Sequence, residues 1–548
     1  MTIEPLTLDG VVPYPAETVA EYVSKGYWRD QTLPELLFET AGRLPDKVAV
    51  IDRDSQLTYA RLTGEILRLA AGLNALGLRR GDRVVVHLPN TYEYIVFVFA
   101  LWELGVVPVV APIAHRRTEI EHFVMVAEAR AYITVESDGG TDLRAMADEL
   151  KQRWSHLEHT VVLGRGGGGS EYESLLSHGS LEHDRRTSPQ DVALLQISGG
   201  TTGVPKLMPH SHCTYGYALR RSVGERGIVE STVHLLVIPI CHSMSTRSPG
   251  FLGAFSVGAT VVIAANGSPD VAFPLIERHR VNRVSLVPPI LLAWLNSSQR
   301  GAYDLSSLKT VMCGGAKLGE EAASRVEPEF GVQLSQSFGM GEGLVVSNPA
   351  DVDRETSVRY QGRPASAADE IRVVDDQGDD VPPGLPGHLL TRGPSVIRGY
   401  YRNPEQNALA FTADGFYRTG DIVERDDRGF IRVVGRSKDQ INRGGEKIAP
   451  EELENAILAH PGVHNASVVG IDDEHLGERV KAYVIPRSPD GVADLTVGKI
   501  RQFLRAGGLA TYKLPDVVEL VDEFPYTAVG KVSKRLQRML GQEAKTDL

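Results

Sequence analysis

The chain is poor in the features that mark secreted, metal-bound or membrane proteins. Its three cysteines, Cys213, Cys241 and Cys313, stand far apart, which excludes a disulfide framework and the paired spacing of a zinc site and fits a reducing cytoplasm. The amino-terminal MTIEPLTLDGVV has no basic region leading into an apolar core, so it does not read as a secretory signal. No uninterrupted apolar run reaches the roughly 20 residues of a membrane span. The longest candidate, 94–114, contains Glu103 and Pro108 and predicts a buried helix followed by a strand. An excess of positive charge is also missing: 58 Lys and Arg face 70 Asp and Glu, a net charge of −12, so there is no electrostatic footprint for sequence-independent nucleic-acid binding. No repeat of 20–50 residues suggests a solenoid or propeller.

What is present is an ordinary globular composition, 42% hydrophobic and 23% charged over 548 residues, too long for a single core. Short β-rich runs alternate with amphipathic stretches: RVVVHLP (83–89), VALLQIS (192–198), TVHLLVIPI (232–240) and RVSLVPP (283–289) punctuate helix-like segments. This is the texture of α/β units with parallel sheets. The glycine run at 164–170 reads as a flexible surface loop. After about Arg363 short strands are broken by turn-rich DDQGDD, PPGLPG and TADG, predicting a β subdomain. After Gly435 helices and strands mix again in a compact α+β unit. The expected division is residues 1–435 and 436–548.

The segment with the clearest chemistry follows a strand directly: Ser198, Gly199, Gly200, Thr201, Thr202, Gly203, Val204, Pro205 and Lys206. Glycines let backbone N–H groups approach phosphate oxygens, hydroxyls add donors, and Lys206 adds charge. The spacing is not that of a Walker A loop. A plain turn is the bland alternative, and the concentration of glycine, hydroxyl and lysine disfavours it.

SGGTTGVPK resembles the phosphate loop of the adenylate-forming superfamily, and further matches follow in order. They are Phe338-Gly339-Met340-Gly341-Glu342, Tyr417-Arg418-Thr419-Gly420-Asp421, Gly435-Arg436-Ser437-Lys438-Asp439, and Gly530-Lys531. Longer text at 13–33, 286–289, 338–345 and 389–401, with KDQINRGGEKIAPEELE, is similar to the stand-alone aryl-acid ligases that activate 2,3-dihydroxybenzoate or salicylate in siderophore biosynthesis. The resemblance implies a large N-terminal domain of two α/β subdomains and a β subdomain, and a small mobile α+β C-terminal domain that turns about Lys438.

It also implies roles. ATP activates the carboxylate, because AMP is a far better leaving group than oxide. Lys531 would place a cation where the carboxylate meets the α-phosphate; at about 4 Å and an effective dielectric near 20 that is worth roughly 4 kcal/mol. Neighbouring Lys534 reads as an exposed tail lysine, and Lys317 and Lys447 as solvated. Glu342 would hold Mg²⁺. Asp421 and Arg436 would take the ribose. Gly314, Gly315 and Ala316 would bring backbone to the adenine, with Phe338, Gly339 and Met340 on its other side. His242 would lie beside the acyl carboxylate. Gly444 and Gly445 would line a tunnel for a phosphopantetheine thiol on a separate aryl carrier protein.

Departures from the pattern gather at the acyl pocket. Where ligases for 2-hydroxybenzoates typically carry His-Asn-Tyr or His-Asn-Phe, this chain has His242-Ser243-Met244, so the amide that would bind a ring 2-hydroxyl is gone. Ser337 and Gly341 replace the usual valine and alanine, whereas Ser248, Gly315 and Val345 keep the pattern. The substitutions predict a roomier pocket with new hydroxyl contacts and an aryl acid other than plain dihydroxybenzoate: amino-substituted, heteroaromatic, or bearing an extra group. The competing functions are an aryl-CoA ligase and a non-catalytic nucleotide or aryl-acid binding protein on the same fold; a luciferase-like oxidation shares the motifs but not the aryl-ligase text.

Overall fold

Apolar strands such as RVVV, VPVV and AYITV have no polar face to offer water, so they require cover on both sides. A computed structural model of the chain provides it. The structure describes residues 3–164, 167–198, 205–247, 250–443, 446–473, 475–488, 492, 494–507, 509–527 and 531–543. One six-stranded sheet runs in the order Leu207–Ser211, Val192–Ile197, Val107–Val110, Arg83–Val86, Ala131–Val135, His159–Leu163. All its pairs are parallel except the first.

The stretch whose charge argued against a membrane span folds as expected, with helix Tyr92–Glu103 followed by strand Val107–Val110. Glu103 is buried, and its carboxylate meets Nδ1 of His183 at 3.0 Å. No helix among the described residues is long and apolar enough to cross a membrane.

The second sheet has nine strands, ordered Arg363–Pro364, Val345–Ser347, Gln333–Gly339, Thr310–Gly314, Arg283–Leu286, Val233–Leu236, Thr260–Ile263, Val48–Asp52, Ser55–Thr58. From Gln333–Gly339 to Val48–Asp52 the pairs are parallel. A four-stranded antiparallel sheet, Glu370–Val374, Pro386–Arg392, Tyr417–Arg425 and Ile431–Arg436, forms the predicted β subdomain. The small domain builds its five-stranded sheet around the long pair Val463–Asp473 and Gly477–Pro486, with helices Pro450–Leu458 and Val497–Ala506. Its two hydrophobic clusters draw every residue from position 441 onward, so its core is its own.

Two glycine positions show where backbone must come close. The loop expected to be free at 164–170 is packed instead: Gly167 has φ +104°, and a Cβ there would stand 2.5 Å from the Glu93 carboxylate carbon, while Gly169 precedes the helix Ser170–Leu176. Residues 165–166 lie outside the described residues. Gly362 has φ +113°, and a Cβ there would lie 2.1 Å from the Ser347 carbonyl carbon. Its own carbonyl accepts from Ile431 N–H at 2.7 Å, joining the nine-stranded sheet to the β subdomain. We expect Gly362→Ala to cost roughly 2–4 kcal/mol, read as a lower denaturant midpoint. Gly42→Ala, in a helix with open space at the Cβ position, serves as the silent control.

Candidate active site

In parallel α/β sheets, binding clefts form beyond the carboxyl ends of the strands. Here four strands of the nine-stranded sheet end on one cavity of about 1290 Å³, closed on its far side by the small domain. Thr310–Gly314 delivers Gly314, Gly315 and Ala316; Gln333–Gly339 delivers Ser337, Phe338 and Gly339; Arg283–Leu286 leads into Val287; Val233–Leu236 leads on to His242. The register sets Gly314 opposite Ser337.

The ends of the predicted phosphate loop are pinned together. Ser198 N–H donates to the Lys206 carbonyl and Lys206 N–H donates to Ser198 Oγ, each at 2.9 Å. Gly199, Gly200, Thr201, Thr202 and Gly203 lie outside the described residues. The Lys206 ammonium sits 4.8 Å from the centre of the Tyr400 ring. Burial pulls its pKa below the usual lysine range, and nearby Glu342 pushes the other way. Tyr400 Oη donates to Glu342 Oε1 at 2.7 Å and lies 3.1 Å from Tyr417 Oη. A lysine, a carboxylate and two phenols thus form one buried polar group beside the loop. Both tyrosines stand within motif text of the sequence, yet only this contact gives them a function.

Asp421 is buried, and its Oδ1 accepts from Arg436 Nε at 2.8 Å. Thr419 Oγ1 fixes the turn by accepting from Asp421 N–H at 3.0 Å. Lys438 lies just beyond, in the single 3-10 turn Ser437–Asp439 between the two domains. Met340 N–H donates to the Leu344 carbonyl at 3.0 Å, which holds the Gly341-Glu342 turn. Phe338 is half-buried, packs on the core of the β subdomain and also lines the cavity.

Lys531 reaches this cavity from the far end of the sequence. Its N–H donates to Thr527 Oγ1 at 3.1 Å, and its carbonyl accepts from Thr527 N–H at 2.7 Å. Its Cε lies beside Gly315, whose φ of +83° suits glycine: a Cβ there would stand 3.7 Å away, in ordinary contact. Burial lowers the Lys531 pKa, with Arg436 acting in the same direction and Asp421 and Glu342 opposing. Lys534 is not an exposed tail residue, because Glu454 Oε1 holds its ammonium at 2.8 Å. Nor is Lys317 solvated: it lines the cavity half-buried, and burial lowers its pKa beside Glu451. Lys447 has no described side chain, and Gly444 and Gly445 lie outside the described residues.

His242 is kept neutral. Burial, then the nearby Lys531 and Arg247, push its pKa down to about 3. Its Nδ1 accepts from Met244 N–H at 3.2 Å, which leaves Nε2 as the protonated nitrogen of the neutral ring.

The acyl end differs from the roomier pocket read from the sequence. Space vacated at Gly341 is filled by Met208, whose Cε would lie 2.4 Å from a Cβ on residue 341. Met244 is buried and packs under Gly314. The Ser337 hydroxyl does not wait for a substrate: it donates to the Val346 carbonyl at 3.0 Å and accepts from Arg226 Nη2 at 2.9 Å. Ser243 and Val345 line the cavity as expected, and Ser248 lies outside the described residues. Sequence reading passed over Met208, Arg226 and Arg247, since each acts across more than 100 residues or stands in text that carries no motif.

Comparison with known proteins agrees with this architecture. Residues 37–401 match the family model described as AMP-binding enzyme, and residues 452–531 match the AMP-binding enzyme C-terminal domain. The chain is 46% identical over 538 residues to pyochelin synthase PchD of Pseudomonas aeruginosa, covering 98% of this chain and 97% of that protein. It is 45% identical over 535 residues to the 2,3-dihydroxybenzoate-AMP ligase of Bacillus subtilis, covering 97% of each. Among solved structures, apo MbtA of Mycobacterium smegmatis superimposes with a TM-score of 0.74 at 38% identity, covering 97% of this chain and 98% of that one. Enzymes of this family use ATP, and the chain belongs to the AMP-binding enzyme family, in its branch of stand-alone aryl-acid AMP ligases.

Proposed function

We propose that the protein joins an aryl carboxylic acid to AMP, releasing pyrophosphate, and then passes the aryl group to the phosphopantetheine thiol of a separate aryl carrier protein. The observation that supports this best is Lys531 standing in the same cavity as Lys206, Glu342, Asp421, Arg436 and His242. In this reading the 198–206 loop and Lys206 hold the β- and γ-phosphates of ATP. Asp421 accepts from the ribose hydroxyls while Arg436 keeps its carboxylate oriented. The 314–316 backbone and Phe338 enclose the adenine. Lys531 draws the attacking carboxylate and the α-phosphate together by offsetting their repulsion. Neutral His242, with Nε2–H as donor, orients the carboxylate without neutralising it.

The donor set near the phosphates suits Mg²⁺. No group of three or more His, Cys, Asp or Glu forms a metal cage among the described residues. A single hard carboxylate, Glu342, stands beside the phosphate loop, the usual protein share when phosphates and water supply the other oxygens. Bound Mg²⁺ would neutralise charge on the phosphates.

For the second step we propose that the small domain, taken as 436–548, swings about Lys438, withdraws Lys531 and brings Gly444 and Gly445 to the thiol path. ATP–pyrophosphate exchange across a panel of aryl acids tests the first step. Exchange with no acid would return the protein to the non-catalytic class. Thioester formation with free CoA at low KM, and none with any carrier protein, would make it an aryl-CoA ligase.

The packing of Met208 against Gly341 yields a reciprocal test. Gly341→Ala alone forces the thioether into the pocket, and we expect kcat/KM for the best acid to fall by about 10- to 100-fold. Met208→Ala in the same chain should return most of it. Recovery absent from the double variant, with the fold intact, would show that Met208 does not shape the pocket.

A further inference from the structure

The short turn Ser243–Thr246 that presents His242, Ser243 and Met244 ends on Arg247. This side chain is 0% exposed and also lines the cavity. Its guanidinium lies 4.9 Å from the centre of the Tyr215 ring, and both Nε and Nη1 are buried with no hydrogen-bond partner. A guanidinium stays charged in proteins, and a buried charge without a partner is heavily disfavoured. The surroundings do not compensate. His210 is buried and held neutral, its pKa pushed down to about 3 by burial and then by Arg247, and its Nε2 is engaged with the Gly341 carbonyl at 2.7 Å. Asp369 is the acid that acts on Arg247, and burial pushes its own carboxyl up to about 7. Two more buried cations lie nearby: Arg226, which donates to Ser337 and has Glu225 as its counter-charge, and Arg283, whose Nη2 donates to the Arg226 carbonyl at 2.6 Å. The Arg247 guanidinium therefore stands at the wall of the cavity with unused donors.

We infer that Arg247 is a substrate-binding residue for a second negative group on the ring of the aryl acid, in the simplest case a second carboxylate. One carboxylate of such an acid meets His242 and Lys531 and reacts; the other accepts a charge-assisted hydrogen bond from the Arg247 guanidinium. This rests on the adenylation reading above and narrows its substrate. It also gives the missing amide at Ser243 a reason: this pocket selects by charge rather than by a ring 2-hydroxyl.

The test is ATP–pyrophosphate exchange with phthalate, isophthalate and terephthalate, each against the corresponding methylbenzoate, with salicylate and the nitrobenzoates alongside. We expect at least one dicarboxylate to exceed its methyl counterpart in kcat/KM by about 100-fold or more, since a site built to pair a polar group rejects analogues lacking it. In Arg247→Met that preference should collapse, the loss falling far more on the dicarboxylate than on the methylbenzoate, and Arg247→Lys should fall between. Methylbenzoates, salicylate or neutral nitrobenzoates preferred by the unaltered protein would overturn the inference and leave adenylation standing. So would an equal loss on all acids in Arg247→Met and Arg247→Lys. Exchange with no acid at all would instead defeat adenylation itself. If Arg247→Met fails to fold, the unaltered protein's ranking and Arg247→Lys still decide.

Discussion

Lys531→Ala is expected to slow aryl-adenylate formation by about 10³-fold or more while leaving the transfer of a preformed aryl-adenylate to a thiol within a few-fold of the unaltered protein. The size follows from position. Two anions, a carboxylate and an α-phosphate, must meet in a cavity where charges interact more strongly than in water, and Lys531 lines that cavity beside Gly315. Arg436 cannot substitute, because its Nε is committed to Asp421 at 2.8 Å. The split between the half-reactions is the diagnostic part: a lysine that merely held the fold would damage both. Single-turnover measurement of adenylate formation, beside thioester formation from synthetic aryl-AMP, separates the outcomes. Equal losses in both steps would remove Lys531 from the chemistry.

A steep loss of stability below neutral pH is the second large effect expected. His87, His210, His212 and His234 are each 2% exposed or less. Burial pushes the pKa of His87, His210 and His234 down to about 3 and that of His212 to about 4. An unfolded histidine titrates near 6.5, so below that pH the unfolded chain binds protons that the folded chain refuses. The stability is whole above about pH 6.5 and is lost as pH falls toward the folded values. Each histidine contributes a slope of up to about 1.4 kcal/mol per pH unit, and four together set a ceiling of about 5 kcal/mol per unit. Asp369 opposes them. Its pKa, raised to about 7, makes the folded state bind a proton that the unfolded chain has released, returning part of one histidine's slope between about pH 7 and 4. Urea midpoints measured from pH 8 to pH 5 should fall steadily below 6.5, and a flat profile would contradict the burial of neutral imidazoles.

Much of the architecture was legible because strand periodicity and turn residues are local signals. The runs at 83–89, 192–198, 232–240 and 283–289 became strands, and the turn-rich text after 363 became the four-stranded antiparallel sheet that starts at Glu370. The nucleotide end was legible for a different reason: it is written in short ordered motifs, and those put Lys206, Glu342, Asp421, Arg436 and Lys531 around one cavity. The acyl end resisted. Counting side-chain volume at Gly341 suggested space, but the volume returns from Met208, a residue 133 positions away on another sheet. Ser337 looked like a new contact for a substrate, yet its partner is Arg226. Lys534 looked like tail because charge in a terminal segment is usually solvated, and only the fold brings Glu454 to it. Local pattern reports what a residue is; who fills its last hydrogen bond is settled by pairs distant in sequence.

The small domain keeps its hydrophobic clusters to itself, and its described contacts with the large domain include Asn296 to His464 at 3.3 Å and the Glu451 carboxylate close against Gly435. The rotation proposed above, about the Ser437–Asp439 turn, would therefore open neither core. It should proceed with little change in heat capacity.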